Sequence, residues 1–201
     1  MSEVPQKLEK DGTTVSIGDP NAAVTVHLYE DPRCPVCEEF ELTGGGPVLR
    51  NWVLQRKAKA EYTLASFLDD RLGGNGSKRA VNALRAALEV GKFAEYHAVL
   101  YAHQPDELND GFTEARLLEL ASLVDGLRSP SFDTAVKGMR HQDFITRSQQ
   151  QYQQAGTYEG RPGPGTPTVD INGRRVPDED FEAIFDEEGF ASLLSMAEPA
   201  S

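Results

Sequence analysis

The chain has 201 residues, of which 39% are hydrophobic and 26% are charged, and its formal net charge is −12. These values are typical of a soluble globular protein with one sizeable core, or with a core domain and an inserted lobe. The negative charge disfavours a phosphate-binding surface, so we expect no nucleic acid partner. No stretch of the sequence approaches the roughly 20 apolar residues that span a bilayer, and we expect no membrane insertion.

The N-terminal segment MSEVPQKLEKDG is polar and contains no apolar signal core. We therefore expect the protein in the cytoplasm if the chain is complete, and outside the cytoplasm if its N-terminus was trimmed. The sequence leaves the oligomeric state open.

The first part of the chain predicts two core strands and a helix. TTVSI (13–17) alternates loosely and predicts a short edge strand, whereas AAVTVHLYE (22–30) alternates apolar and polar residues as a core strand does. A helix is expected to begin at Cys34 and to be interrupted by the glycines at 44–46. AEYTLASFL (60–68) predicts a second core strand.

In residues 77–155 the apolar residues recur with the period of a helix, and no stretch alternates as a strand does. Three candidate N-caps start helices in this stretch, namely Ser77, Thr113 and Ser129. Pro130 follows the last of them at a first helical position, where its missing N–H costs nothing. We expect one or two helices from there to the end of the segment.

Near the C-terminus apolar and polar residues alternate again, as in a strand. PTVDI (167–171) predicts a strand, Asn172-Gly173 predicts a type I′ hairpin turn, and residues 178–197 predict one acid-fronted helix with Phe181 facing inward. This order of elements predicts an α/β fold that is interrupted by an all-helical insertion. We divide the chain into a first core part (1–76), an inserted helical domain (77–155) and a second core part (156–201).

The chain has two cysteines, Cys34 and Cys37, and they enclose Pro35 and Val36 in the motif CPVC. Cys34 is predicted at a helix N-terminus, where unpaired amides and the helix dipole favour an anion and lower the pKa of a thiol. Cys37, one turn later, is the natural resolving partner. A disulfide that closes so short a loop would stabilise the fold little.

Four residues around the cysteines are predicted to tune the Cys34 thiolate. Arg33 is expected to lower the pKa of Cys34 and Asp31 to raise it, as are the neighbouring acids of the helix. Pro35 and Val36 form the dipeptide between the cysteines, and an apolar valine favours a less extreme thiolate than a polar or cationic residue would.

Zinc is the competing interpretation of the motif. A structural zinc site has four ligands, and one CxxC supplies two of them. The histidines show no paired spacing; they are His27, His97, His103 and His141. We therefore predict no metal site.

The segment YEDPRCPVCEEF after a core strand, with GTPTVDINGRRV far downstream, resembles the thioredoxin fold, and the helical insertion resembles its DsbA-like branch. This resemblance implies a central mixed sheet flanked by helices, with a large all-helical insertion. It also implies that Pro167 is the cis-proline facing the cysteines and that Thr166 offers backbone groups to an extended substrate segment. A proline adopts the cis form at modest cost.

Two features depart from the family pattern. The family often carries a buried acid six residues before the first cysteine, and this chain has Leu28 there. We expect His27 and Glu30 on the opposite face, so that the proton of Cys37 leaves through water or another polar group. The loop TYEGRPGPG (157–165) is longer than usual, and we expect a flexible connector, with one wall of the substrate groove as the alternative.

On this resemblance we predict a thiol–disulfide oxidoreductase in which Cys34 forms the mixed disulfide and Cys37 resolves it. The two sulfurs carry the electrons, so no cofactor is predicted. The expected partners are thiol- or disulfide-containing proteins or peptides and a redox partner. Two alternatives stay open: a glutathione-dependent isomerase or transferase of the same fold, and a binding module whose CxxC holds a metal or packs. The sequence does not decide between oxidase, reductase and isomerase.

Overall fold

The computed structural model describes residues 4–199. Residues 1–3 and 200–201, the outer ends of the predicted first and third parts, lie outside the described residues. The strands are β1 (Gln6–Leu8), β2 (Val15–Gly18), β3 (Val24–Glu30), β4 (Ala58–Leu64), β5 (Thr157–Tyr158), β6 (Arg161–Pro162), β7 (Thr168–Ile171) and β8 (Arg174–Arg175).

Helices surround the strands and fill the long segment between β4 and β5. They are α1 (Pro35–Thr43), α2 (Gly45–Leu54), α3 (Phe67–Leu72), α4 (Gly76–Leu88), α5 (Phe93–Ala102), α6 (Glu114–Ala121), α7 (Pro130–Lys137), α8 (Gln142–Gln154) and α9 (Glu187–Ala197), with a 3₁₀ helix at Asp178–Phe185. None of the helices within residues 4–199 is both long enough and apolar enough to cross a membrane.

A mixed six-stranded sheet in the order β1-β2-β4-β3-β7-β8 forms the centre of the molecule. β3 pairs in parallel with β4 and antiparallel with β7, and Leu28 lies between Tyr62 and Val169 in this register. The confirmed fold class is therefore a thioredoxin fold with a mixed sheet and a large helical segment. The predicted edge strand is wrong in one respect, because β2 lies between β1 and β4 and β1 forms the edge.

The alternation of β3 separates two faces of the sheet. Its even-numbered side chains, from Val24 to Glu30, are completely buried, whereas Thr25 and His27 on the other face are half-buried. β4 repeats the pattern in register with β3. The predicted second strand ends at Leu64, and the residues that follow turn into α3.

The helix that follows the cysteines is interrupted at Gly44, as the glycine run predicts. A side chain at Gly45 would lie 2.6 Å from the Phe190 ring, and one at Gly46 would lie 2.7 Å from the Cα of Glu41. The glycines therefore let α1, α2 and α9 pack closely.

The helical segment packs onto the sheet through one continuous core, which joins strand residues such as Leu28 to helical residues such as Leu84 and Phe93. Thr113 and Ser129 cap α6 and α7 as predicted. Ser77 does not cap α4, because its hydroxyl donates to the Asp31 carboxylate instead. The division of the chain at residues 77 and 155 stays a prediction.

The C-terminal part contains the predicted hairpin, since Asn172 and Gly173 both have positive φ, at 50° and 76°. The predicted single helix at 178–197 is wrong. The chain forms a 3₁₀ helix and then α9, which begins where the Asp186 carboxylate accepts from Gly189 N at 2.7 Å. Phe181 remains 37% exposed rather than facing the core.

Candidate active site

Cys34 and Cys37 lie at the junction between β3 and α1. Cys34 is the extended N-cap residue of α1, and Pro35 follows at the first helical position, as predicted. Both cysteines are free thiols, and they lie 3.5 Å apart. The strand therefore delivers Cys34 to the N-terminus of the helix, where unpaired amides favour a thiolate.

The two thiols differ in exposure and in acidity. Cys34 retains 6% of its surface and Cys37 none. A hydrogen bond from the Cys37 thiol, helped by Thr166 and the Cys37 amide, lowers the pKa of Cys34. Burial, together with donation to Cys34, raises the pKa of Cys37 well above its usual range. The geometry thus favours a thiolate at Cys34 and a protonated thiol at Cys37.

Thr166 and Pro167 face the cysteines across the start of β7. The Thr166–Pro167 peptide bond is cis, as the resemblance implies. As a thiol, Cys34 donates to the Thr166 carbonyl at 3.3 Å. The buried Thr166 hydroxyl has no other hydrogen-bond partner among the described residues, so it is free to donate to the thiolate.

Arg33 does not lie beside the thiolate, contrary to our expectation. Its guanidinium donates to Asp69 at 2.9 Å, to the Gly73 carbonyl at 2.9 Å and to the Glu107 carbonyl at 2.8 Å. A long side chain can leave its backbone neighbourhood, and here three acceptors in the helical segment hold it. Arg33 therefore ties the active-site loop to that segment.

Asp31 anchors the same loop from within the core. Its carboxylate accepts from Ser77 Oγ at 2.6 Å, from Arg33 N at 3.0 Å and from Leu68 N at 3.1 Å. Burial raises the pKa of Asp31 to about 6, although these hydrogen bonds oppose the change. Its charge raises the pKa of Cys34, as predicted.

A groove of about 400 Å³ opens beside the cysteines. Val36 and Phe181 are partly exposed there, and Tyr158, Thr166 and Pro167 lie on the same surface. Pro35 is also exposed next to Cys34. The dipeptide of the motif therefore forms part of the exposed surface at the groove.

The long loop before Pro167 is not a flexible connector. Its residues form the two-stranded hairpin β5–β6, and Tyr158 contributes to the groove. The Tyr152 hydroxyl accepts from Gly165 N at 3.3 Å and holds the loop against α8. The alternative expectation, that the loop forms one wall of the groove, agrees with this geometry.

An acid lies beneath Cys37 after all, contrary to the expectation for this chain. Leu28 and Glu30 differ by two positions and therefore share a face of β3, and Glu30 is completely buried. Its negative charge is one of the causes that raise the pKa of Cys37. The period of the strand was a sufficient signal for this residue.

Glu30 belongs to a buried polar network that the sequence did not reveal. His97 Nε2 lies 2.9 Å from Glu30 Oε2, and the Tyr101 hydroxyl lies 3.4 Å from the same oxygen. Burial lowers the pKa of His97, which favours the neutral ring. Glu41 lies close to Glu30, and Arg50 donates to Glu41 Oε2 at 2.7 Å.

The network contains the donor types of a metal site, since ligand atoms of Glu30, Glu41 and His97 lie within 4.8 Å of one another. Glu30 already contacts His97, and Glu41 already accepts from Arg50. We therefore interpret the cluster as a hydrogen-bonded network.

Gln104 is a further residue that the sequence did not reveal. Its amide, just beyond α5, donates to the Pro32 carbonyl at 2.8 Å and to the Cys34 carbonyl at 3.0 Å. The helical segment thus fixes the backbone of the cysteine itself. No local pattern marks such a contact, because 70 residues separate Gln104 from Cys34.

Comparisons with known proteins agree with this geometry. A family model described as "Thioredoxin" matches residues 10–187. The structure of BdbD from Bacillus subtilis superposes with a TM-score of 0.75 at 18% identity, covering 96% of this chain and 97% of that one. MdbA from Corynebacterium diphtheriae, described as a thiol-disulfide oxidoreductase, gives 0.70 at 19% identity, covering 98% and 94%.

DsbA from Mycobacterium tuberculosis gives a TM-score of 0.65 at 23% identity, covering 97% of this chain and 99% of that one. No curated protein sequence gives a significant match. The structural matches confirm the DsbA-like form of the fold, including its helical segment.

Proposed function

The chain belongs to the thioredoxin family, and from this premise we propose that it is a protein thiol–disulfide oxidoreductase of the DsbA type. One observation carries the proposal: two free thiols 3.5 Å apart have pKa values displaced in opposite directions. Such a pair has a nucleophile that ionises more readily than a free thiol and a partner that keeps its proton until it attacks. Proteins of similar fold that are described as thiol-disulfide oxidoreductases support the proposal.

The reaction proceeds through a mixed disulfide. In the reducing direction, the Cys34 thiolate attacks a substrate disulfide, forms a bond to one sulfur and releases the other as a thiolate. Cys37 then loses its proton and attacks the Cys34 sulfur, so the substrate leaves reduced and the enzyme pair becomes a disulfide. In the oxidising direction the same steps run backwards. Electrons move between sulfurs, and no cofactor takes part.

The groove defines where the substrate chain lies. Thr166 is close enough to Cys34 for its backbone to bind an extended segment that carries the reacting sulfur. Val36, Tyr158 and Phe181 offer apolar surface beside that position. We infer that the substrates are extended protein or peptide segments with an apolar side chain near the cysteine, and that a separate redox partner restores the pair.

An insulin-reduction assay with a dithiol reductant tests the function directly. The wild-type protein is expected to accelerate reduction, and the Cys34→Ser variant is expected to be inactive. Metal analysis of the purified protein runs beside it. An inactive wild-type protein that retains stoichiometric zinc at the cysteines would contradict the proposal, and a strict requirement for glutathione would favour the isomerase or transferase alternative.

A further inference from the structure

One side-chain amide of the helical segment fastens the backbone around Cys34. Gln104 Nε2 donates to the Pro32 carbonyl at 2.8 Å and to the Cys34 carbonyl at 3.0 Å. Carbonyl oxygens can be bound only by the NH₂ end of a glutamine, whose two hydrogens supply one bond to each. Both amide hydrogens of Gln104 are therefore committed to the carbonyls of the residues on either side of Arg33.

Gln104 is itself held by a helix that packs against the cysteines. Its backbone N–H donates at 3.2 Å to the Tyr101 carbonyl, which lies in the last turn of α5. The Tyr101 side chain is buried in one cluster with Cys34, Cys37 and Leu68. The core contacts of α5 therefore fix where the Gln104 amide lies relative to the two sulfurs.

The contact has a consequence for the sulfur because the Cys34 carbonyl begins α1. Cys34 is the N-cap residue, with φ −74° and ψ 117°, and its carbonyl accepts from Glu38 N at 3.1 Å. The angle ψ of an N-cap residue decides how its side chain and the amides of the first turn face each other. Gln104, as a second donor to the same carbonyl, restrains this angle and thereby the position of the Cys34 sulfur relative to the Cys37 amide.

The groups that favour a thiolate at Cys34 depend on this position. A hydrogen bond from the Cys37 thiol lowers the pKa of Cys34 most, Thr166 and the Cys37 amide help, and burial and Asp31 oppose them. Hydrogen bonds weaken steeply as their distance and angle change, so a displaced sulfur loses part of this stabilisation. The titratable groups that face Cys34 from the packed elements are Glu30 on β3, Asp31 in the loop after it, Cys37 on α1, Tyr101 on α5 and Tyr152 on α8.

We propose that Gln104 is a positioning residue of the disulfide exchange, whose amide holds Cys34 in the conformation in which the sulfur meets its hydrogen-bond donors. This inference rests on the proposed function, in which Cys34 is the nucleophile. Gln104 acts through the carbonyl of Cys34 rather than through its sulfur. The Arg33 guanidinium, bound by Asp69 and by the Gly73 and Glu107 carbonyls, holds the residue between the two carbonyls from the same segment.

A glutamine that only stabilised the fold would leave the ionisation of Cys34 unchanged, and Gln6 is the matched control for that role. Gln6 is also half-buried, and its amide also binds backbone of the helical segment. Its Nε2 donates to the Gly91 carbonyl at 3.1 Å, and its Oε1 accepts from Ala94 N at 3.0 Å. Gln6 belongs to the edge strand β1, whereas the cysteines follow β3 in the middle of the sheet.

The ionisation of Cys34 is followed against pH by the ultraviolet absorbance of its thiolate and by the rate of its alkylation. Gln104→Met keeps the size of the side chain but removes both donors, and it is expected to raise the midpoint by roughly half a pH unit. Gln104→Glu should raise it at least as much, because a negative charge adds to the loss of the donors. Gln6→Met should leave it unchanged. An unchanged midpoint in both Gln104 variants, or an equal rise in Gln6→Met, would overturn the proposal.

NMR spectra of the wild-type protein keep the proposal testable if a Gln104 variant fails to fold. With ¹⁵N-labelled glutamine, the side-chain amide signals of Gln104 are expected to shift as Cys34 ionises and again when the cysteines are oxidised, because the amide binds the Cys34 carbonyl. Signals that respond to neither change would contradict the positioning role. These titrations need no substrate, so a wild-type protein that is inactive in insulin reduction would contradict the proposed function instead.

Discussion

Strands β3 and β4 carry a glutamate–histidine contact on each face of the central sheet, and the two contacts have opposite chemistry. On the covered face Glu30 lies 2.9 Å from His97, and burial raises the pKa of Glu30 to about 8. On the open face Glu61 lies 3.4 Å from His27. The hydrogen bond from His27, with help from Lys59, lowers the pKa of Glu61 to about 2.

The difference comes from solvent and counter-charge rather than from the residue types. Glu61 keeps contact with water, and Lys59 Nζ lies 2.6 Å from its carboxylate. Glu30 is completely buried, and this burial penalises its charged form. The covered face therefore favours a protonated carboxyl, while the open face holds paired charges.

The largest contrast is expected in catalysis. Cys34→Ser removes the nucleophile of the covered face and should abolish insulin reduction. His27→Gln changes the open face, outside the proposed machinery, and should retain wild-type turnover. A comparable loss of turnover in both variants would show that catalysis is not confined to the covered face.

A buried ion pair and a partly exposed ion pair are expected to differ in how much they stabilise the fold. Arg33→Met leaves Asp69 and two carbonyls without their buried donor, and we expect a loss of about 3–5 kcal/mol in the free energy of unfolding. Lys59→Met breaks a partly exposed pair and should cost less than about 1 kcal/mol. Urea unfolding of the two variants measures both values. Equal losses in the free energy of unfolding would contradict the distinction between the buried and the partly exposed ion pair.

The two glutamates should give opposite pH dependence of stability. The pKa of Glu30 is raised when folded, so its contribution is fully present below about pH 4.5, declines as the pH rises, and is lost above about pH 8. The pKa of Glu61 is lowered, so its contribution is present above about pH 4.5 and is lost as the pH falls towards about 2.

Urea titrations across this pH range compare Glu30→Gln and Glu61→Gln. The first variant should flatten the decline between about pH 4.5 and 8, and the second should flatten the loss at acid pH. Both variants following the wild-type slope over the whole range would show that neither pKa is displaced by folding.

The smallest effect is expected at the groove. Tyr158→Ala removes apolar surface beside Cys34 and should raise the KM for an apolar peptide disulfide by roughly 3- to 10-fold. A small-molecule disulfide that does not fill the groove should react unchanged. Leu123→Ala, at an exposed apolar side chain outside the groove, is the control. An equal KM change for both substrates would exclude a groove contact.

The sequence predicted the parts of this molecule that depend on local pattern. The alternation around Leu28, the caps at Thr113 and Ser129, and the hairpin at Asn172-Gly173 each follow from a few neighbouring residues. The cysteine motif was recognisable for the same reason, whereas the cis-proline at Pro167 was predicted from the resemblance to the thioredoxin fold.

Long-range contacts were not predictable in this way. Arg33 turns away from Cys34 because acceptors from the helical segment bind it, and Gln104 reaches the Cys34 carbonyl from the loop just beyond α5. Tyr152 orders a glycine-rich loop whose composition alone indicates flexibility. Glu30 was within reach of the sequence, since it shares the strand period with Leu28, whereas the position of Glu41 beside it depends on how α1 is placed in the folded chain.

The most direct test of the account is to map the covalent intermediate. The Cys37→Ala variant, incubated with a disulfide-containing protein substrate, is expected to accumulate a reducible complex, because the resolving thiol is absent. Peptide mapping by mass spectrometry is expected to place the bond at Cys34. Full turnover by this variant with a dithiol reductant, or no mixed disulfide at Cys34, would contradict the roles assigned to the two cysteines.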